Sequence, residues 1–195
     1  MGKASIYEFY VYDNKGILHC MEEYKGKVLL IFNSAIHSSL SILYKDIEFL
    51  YQKYHSSGLE VLDFPCNQFH GEACDSDEEI ERLCEEQYHT TFPRFRKIDV
   101  NGINADPLFL YLQNKKKFIG FDKGNNIGSL ISTIHIKQGP NCEMSNEIKW
   151  NFTFFLIDQK GKVKKRFECT TNMKDVDKSI DYLLDHYSVD DETNV

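Results

Sequence analysis

The chain has 195 residues, 42% of them hydrophobic, and a net charge of −7 at pH 7. This size and composition predict a single domain, residues 1–195, whose tail at about 188–195 is disordered. The acidic balance argues against a nucleic-acid-binding protein. No stretch reaches the roughly 18 apolar residues that a membrane-spanning helix needs. Because the amino terminus also lacks a signal-peptide pattern, we expect a cytoplasmic protein.

The first third of the chain predicts a β-hairpin followed by a buried strand. Residues 5–13 are rich in β-formers, Asn-Lys-Gly at 14–16 is a turn signal, and 17–21 form the returning strand. Residues 28–32 are five consecutive apolar residues, which indicates a strand buried on both faces. Sites in α/β proteins form outside the carboxyl ends of such strands. The polar turn at 33–39 is therefore the first candidate site.

A helix and a second strand follow this turn. The helix is predicted from apolar residues at steps of three and four, with Ser38, Ser39 or Ser41 as its N-cap and Gly58 as its stop. Residues 59–63 form the next strand. A strand–helix–strand unit of this kind implies a parallel pair with a right-handed crossover.

The remaining elements predict a second, mixed part of the sheet. Ser76 begins a capping-box helix, 98–102 form a short strand and turn, and Asp106-Pro107 opens another helix. Residues 115–148 lack a clear period, which indicates a functional, oligomeric or mobile connection. The chain closes with strands at 150–158 and 163–167 and a helix at 175–187.

This order predicts an α/β, thioredoxin-like fold. A central mixed β-sheet is flanked by helices, with an N-terminal β-hairpin and a long insertion before the Trp-Asn-Phe strand. The six cysteines are too dispersed for a disulfide scaffold, and the absence of a Cys-x-x-Cys pair argues against a zinc site. We therefore expect neither a metal nor a cofactor.

Five exact stretches then carry a resemblance to a known family. They are Tyr-Lys-Gly-Lys-Val-Leu-Leu-Ile at 24–31, Phe-Pro-Cys-Asn-Gln-Phe at 64–69, Thr-Phe-Pro at 91–93, Lys-Ile-Asp-Val-Asn-Gly at 97–102 and Lys-Trp-Asn-Phe at 149–152. With these stretches the chain resembles the glutathione peroxidase family, from about residue 5 to residue 184. The resemblance implies a thioredoxin fold that reduces hydroperoxides with a selenocysteine or cysteine, supported by a Gln, a Trp and an Asn.

The resemblance also assigns roles to individual residues. Trp150 and Asn151 match two of the supporting positions. The family's nucleophile stretch, Asn-Val-Ala-Ser-Lys-Cys-Gly, corresponds here to Asn-Ser-Ala-Ile-His-Ser-Ser at 33–39, which places Ser38 at the nucleophile position. The supporting Gln of Asn-Gln-Phe-Gly-x-Gln-Glu is replaced by Glu72. Cys84 matches the resolving cysteine of thioredoxin-dependent members.

Serine at position 38 leaves three interpretations open. A hydroxyl has no thiolate-like anion near neutral pH and no sulfur to oxidise reversibly. Ser38 is therefore an introduced replacement of cysteine or selenocysteine, or the natural residue of a non-peroxidase relative, or a residue whose role another cysteine has taken over. Cys66 and Cys74 follow the second strand of the predicted unit and are the candidates for that takeover.

Two functions follow from these interpretations. The first is hydroperoxide reduction, with glutathione or thioredoxin as the reducing co-substrate. The second is a catalytically inactive module for redox sensing or protein binding. Residues 118–148 resemble the longer connection of tetrameric, glutathione-using members, whereas Cys84 favours thioredoxin, so the reductant stays open. We expect homo-oligomer contacts through 115–148.

Overall fold

The structure is a computed structural model that describes residues 5–122 and 145–186. The predicted tail, and the part of the insertion at 123–144, lie outside the described residues. Within the two described ranges, every helix is too short or too polar to cross a membrane. The strands and helices, in chain order, are β1 (Tyr10–Tyr12), β2 (Leu18–Cys20), β3 (Val28–Ser34), α1 (Leu43–Tyr54), β4 (Leu59–Pro65), α2 (Asp77–Tyr88), α3 (Pro107–Lys115), β5 (Phe154–Ile157), β6 (Val163–Phe167) and α4 (Met173–Asp185).

The central sheet is mixed, as the sequence predicts. Its strand order is β4-β3-β5-β6, and β1 and β2 form a separate antiparallel hairpin. β3 pairs in parallel with β4 and antiparallel with β5, and β5 pairs antiparallel with β6. The parallel pair places the carboxyl ends of β3 and β4 at the same edge of the sheet.

Both faces of the sheet are covered, which explains the uninterrupted apolar run in β3. Alternate residues of β3 point to opposite faces. Val28, Leu30 and Phe32 pack in a core with residues of α1, α2 and α4. Leu29 and Ile31 pack in a second core with residues of α3 and the hairpin. A strand covered on both sides needs apolar residues on both sides.

The structure also corrects several predicted boundaries. The segment predicted as a strand from residue 5 begins with a 3-10 turn at Ile6–Glu8 that is capped by Ser5. Residues 98–102 form no strand; the chain instead bridges β4 four residues earlier, where Arg94 pairs with Asp63. The strand predicted at 150–158 is shorter and begins at Phe154.

The cap predictions had mixed outcomes. Ser76 caps α2 by accepting a hydrogen bond from the backbone amide of Glu79 at 3.2 Å, but the predicted capping box is only half formed, because the Glu79 carboxylate binds Arg82 instead. Asp106 caps α3 ahead of Pro107. The serine cap predicted for α1 is wrong. This helix begins at Leu43 and its N-cap, Ile42, makes no side-chain cap hydrogen bond. The serines before it belong to a series of turns that carries the candidate site.

Candidate active site

Ser38 lies in the turns that connect β3 to α1. Its side chain is buried, with 4% of the residue exposed. Its hydroxyl accepts a hydrogen bond from the backbone amide of Leu40 at 3.3 Å, and its own amide donates to the carbonyl of Ala35 at 3.3 Å. The hydroxyl therefore closes a short turn with Leu40, two residues later in the chain. This use of serine competes with helix formation, which explains the late start of α1.

Trp150 and Asn151 lie in a turn next to the end of β3. The side chain of Asn33 holds this turn: its amide nitrogen donates to the carbonyl of Trp150 at 3.2 Å, and its oxygen accepts from the amide of Thr153 at 3.2 Å. The amide of Phe152 donates to the carbonyl of Asn33 at 2.7 Å. Phe152 itself has a positive φ of 63°, so the chain cannot continue here as a regular strand.

Asn33 is therefore a positioning residue that sequence reasoning missed. A signal was present, because Asn33 is a polar residue directly after five apolar ones in a strand. Its side chain is completely buried. A buried amide must be hydrogen-bonded, and Asn33 meets that requirement by fixing the backbone that carries Trp150 and Asn151.

A direct hydrogen bond joins two of the predicted site residues. The side-chain nitrogen of Asn151 donates to the carboxylate of Glu72 at 2.8 Å. The carbonyl of Glu72 in turn accepts from the backbone amide of His37, at 3.0 Å. Glu72 thus connects the Trp-Asn turn to the residue that precedes Ser38. Asn151 is fully buried, and its side-chain oxygen has no hydrogen-bond partner within the described part of the chain.

Trp150 borders the same edge of the sheet. It is 9% exposed, and its ring lies 5.1 Å from the ring of His70 and 6.4 Å from that of Phe69. The loop after β4 thus supplies both the aromatic neighbours of Trp150 and the carboxylate that binds Asn151. Four of the predicted site residues, at positions 38, 72, 150 and 151, therefore come from segments that meet at this edge.

Cys84 has different surroundings. It is buried in α2, and burial raises the pKa of its thiol to about 12. Among the charged groups, Arg94 and Asp63 affect this pKa most, Arg94 by lowering it and Asp63 by raising it, and the two form an ion pair inside the protein. A thiol that is buried and protonated is a poor nucleophile. In this conformation Cys84 is therefore a core residue.

The two other cysteines near this edge of the sheet, Cys66 and Cys74, differ in how far their side chains are buried. Cys66 follows β4 and is buried, and burial raises the pKa of its thiol to about 11. Cys74 lies in the loop between β4 and α2 and is exposed. Only Cys74 of these two is accessible to a reactant in solution.

Comparisons with known proteins match this fold and these segments. The family model described as "Glutathione peroxidase" matches residues 6–113. A protein of Neisseria meningitidis named "Glutathione peroxidase homolog" is 40% identical over 181 residues, which cover 92% of this chain and 99% of that protein. The "Glutathione peroxidase-like peroxiredoxin 2" of Saccharomyces cerevisiae is 39% identical over 182 residues and covers 93% of this chain and 98% of its own.

Solved structures of similar proteins also share the fold of this chain. The structure of T. cruzi GPX1 superposes with a TM-score of 0.66 at 34% identity, covering 93% of this chain and 97% of that one. The structure of Trgpx in its apo form also gives a TM-score of 0.66, at 30% identity and with 94% and 97% coverage. A thiol:disulfide interchange protein of the thioredoxin family from Chlorobium tepidum, at 15% identity and a TM-score of 0.56, shares the fold.

Proposed function

Because the chain belongs to the glutathione peroxidase family, we propose that it is a scaffold for hydroperoxide reduction by a thiol or selenol, with Ser38 at the position of the nucleophile. The observation that carries this proposal is the hydrogen bond between Asn151 and Glu72. This bond ties the Trp-Asn turn to the loop whose carbonyl binds the amide of His37, next to Ser38. These contacts support a peroxidase site at position 38.

The chemistry needs sulfur or selenium at that position. A thiolate attacks one oxygen of the hydroperoxide, a sulfur–oxygen bond forms, the oxygen–oxygen bond breaks, and the alcohol leaves once it is protonated. The product is a sulfenic acid. A first thiol of the reductant then displaces water from it and forms a mixed disulfide, and a second thiol releases the enzyme thiol and the oxidised reductant. Ser38 cannot enter this cycle, so we expect no peroxidase turnover through this residue.

The side chains around position 38 have separate roles in this proposal. The amide nitrogen of Asn151 and the indole of Trp150 stabilise the developing anion. Glu72 holds Asn151 in place, but its carboxylate repels a neighbouring thiolate. We therefore expect a thiol at position 38 to be less reactive with Glu72 than with a neutral glutamine. Because Glu72→Gln keeps an oxygen that accepts from Asn151, it removes the charge without removing the contact.

The test restores the thiol and measures hydroperoxide consumption. Ser38→Cys should consume hydroperoxide with glutathione or with thioredoxin, and the added Glu72→Gln should increase the rate. Ser39→Cys is the matched control, because it places a thiol one residue away in an exposed position, and it should give no turnover. Absence of turnover in Ser38→Cys with both reductants would overturn the proposal and leave a non-catalytic module.

The same background tests the resolving role of Cys84. If Cys84 resolves, Cys84→Ser should abolish turnover with thioredoxin, whereas the buried Cys169→Ser should not. Because Cys84 is buried, such a role requires α2 to open after the oxidation of position 38. Unchanged turnover in Cys84→Ser would remove this role from the proposal.

The unsubstituted chain is part of the same experiment. Turnover with Ser38 in place, lost in Cys74→Ser, would transfer the nucleophile to Cys74, the exposed cysteine of this edge. Cys74 would then be the nucleophile in place of position 38, and the proposed peroxidase function would stand.

A further inference from the structure

Three side chains of different chemistry converge beside the candidate active site. They are the imidazole of His37, the thiol of Cys74 and the carboxylate of Asp75, and one potential ligand atom from each lies within 4.8 Å of the other two. We propose that these three residues form a binding site for a divalent ion of the zinc class. None of the three side chains has a role in the chemistry proposed at position 38, and Cys74 enters that chemistry only in the alternative outcome in which the unsubstituted chain turns over.

The ligand types fit zinc better than a harder cation. Zinc in proteins is bound by cysteine sulfur, histidine nitrogen and carboxylate oxygen, whereas calcium and magnesium take oxygen ligands almost exclusively. A site with three protein ligands keeps a fourth position for water or another small ligand. The mixture of one sulfur, one nitrogen and one oxygen therefore favours zinc with one open position.

The distances between the three ligand atoms need only a small adjustment to match those of a tetrahedral zinc site. With bond lengths of about 2.0–2.3 Å, ligand atoms in a tetrahedral zinc site lie roughly 3.3–3.7 Å apart. The cluster here already spans at most 4.8 Å. The imidazole of His37 and the carboxylate of Asp75 are already hydrogen-bonded to each other at 2.5 Å. An ion bound between them would take the place of this hydrogen bond.

The backbone that carries the ligands is held in place by contacts that do not involve the ligand atoms. The ammonium of Lys97 donates to the carbonyl of Ala73 at 3.0 Å and to that of Asp75 at 2.6 Å. The amide of His37 donates to the carbonyl of Glu72 at 3.0 Å. These bonds fix the loop after β3 against the loop after β4, so little ordering remains to be done when an ion binds.

The site is shallow and accessible. The side chain of His37 is 50% exposed and that of Asp75 is 28% exposed, and Cys74 is also at the surface. An ion can therefore reach all three without opening the core. Motif searches in the sequence miss this site, because one ligand follows β3 and the other two follow β4, 37 residues later (74 − 37).

The experiment measures binding directly. The full chain, reduced and freed of metal with a chelator, is titrated with zinc by calorimetry and with cobalt by absorption spectroscopy. We expect one zinc ion per chain and a cobalt spectrum with a thiolate charge-transfer band. With zinc at a hundred times its dissociation constant, the melting temperature should rise by about 5–11 °C.

Variants assign the ligands. Cys74→Ser should remove the thiolate band and weaken zinc binding more than tenfold, and His37→Gln and Asp75→Asn should also weaken binding. Cys20→Ser, which changes another accessible cysteine, is the matched control and should bind as the parent does. Circular dichroism checks that each surface variant is folded.

The result that overturns the proposal is equally specific. The site is refuted if the parent chain binds no zinc, or if Cys74→Ser binds zinc and cobalt as the parent does. Because none of these measurements uses a hydroperoxide or follows turnover, failure of the metal site and failure of the peroxidase proposal are separate outcomes.

Discussion

The buried ion pair between Arg94 and Asp63 offers a sharp test of how the interior is stabilised. The guanidinium donates to the carboxylate at 2.8 Å, and the two side chains are 2% and 0% exposed. Arg94 also donates to Glu81 of α2 at 2.6 Å, so it ties this helix to β4. Arg94→Met would keep most of the side-chain volume and leave the Asp63 carboxylate buried without a counter-charge.

We expect this change to lower the free energy of unfolding by about 3–5 kcal/mol, the usual cost of breaking a buried pair. For a chain of this length that is a fall in melting temperature of roughly 6–20 °C. The measurement is urea and thermal unfolding followed by circular dichroism. Arg82→Met is the matched control, because Arg82 also binds two carboxylates, those of Glu79 and Glu86, but its side chain is 51% exposed. Its loss of stability should be much smaller than that of Arg94→Met, because water and salt screen an exposed ion pair.

The pH dependence gives a second check on the same variant. Burial raises the pKa of the Asp63 carboxyl, and Arg94 opposes that rise. Without Arg94 the folded-state pKa should rise further above the unfolded value of about 3.9. Burying Asp63 in its protonated form costs less free energy than burying it as a carboxylate. The loss of stability in Arg94→Met, relative to the parent chain at the same pH, should therefore shrink as the pH falls towards 4. An equal loss for Arg94→Met and Arg82→Met, or a loss that grows on acidification, would refute this reasoning.

Three further predictions concern the elements around the site. Ser76→Ala removes the cap on α2 and should lower the free energy of unfolding in urea by about 1 kcal/mol. An unchanged midpoint of the urea transition would show that the hydrogen bond from the Glu79 amide to Ser76 does not stabilise the helix. Asn151→Ala removes the bond to Glu72 and should cost about 1–3 kcal/mol by the same assay, whereas a stable variant would contradict the role of this bond. A thiol reagent at pH 8 should label Cys74 in the folded protein and Cys84 only after unfolding, because burial raises the pKa of Cys84 to about 12. Mass spectrometry of the labelled peptides checks this, and rapid labelling of Cys84 in the folded chain would contradict it.

The sheet could be predicted because its signals are local. Five consecutive apolar residues at 28–32 are typical of a strand covered on both faces, and a helix and a strand after it favour a parallel neighbour. The structure confirms this unit as β3, α1 and β4. Caps that use side chains next to the helix in sequence, such as Ser76 and Asp106, were also predictable.

The parts that could not be predicted depend on distant contacts. Residues 150–153 have the composition of a strand, but the buried side chain of Asn33 binds their backbone and turns them. Ser38 resembles a helix cap in sequence, but its hydroxyl closes an earlier turn at Leu40. The bond between Asn151 and Glu72 spans 79 residues (151 − 72), so only the resemblance could suggest that the two positions share a site.

The most direct test of the central claim is a single-turnover experiment on Ser38→Cys. The purified variant is mixed with an equimolar hydroperoxide without reductant, and a sulfenic-acid probe is added before mass spectrometry. If position 38 is the nucleophile position, the probe attaches there, one alcohol forms per hydroperoxide consumed, and the thiol of Ser39→Cys at position 39 is not labelled. If the thiol at position 38 stays unmodified while the hydroperoxide persists, position 38 is not the nucleophile position.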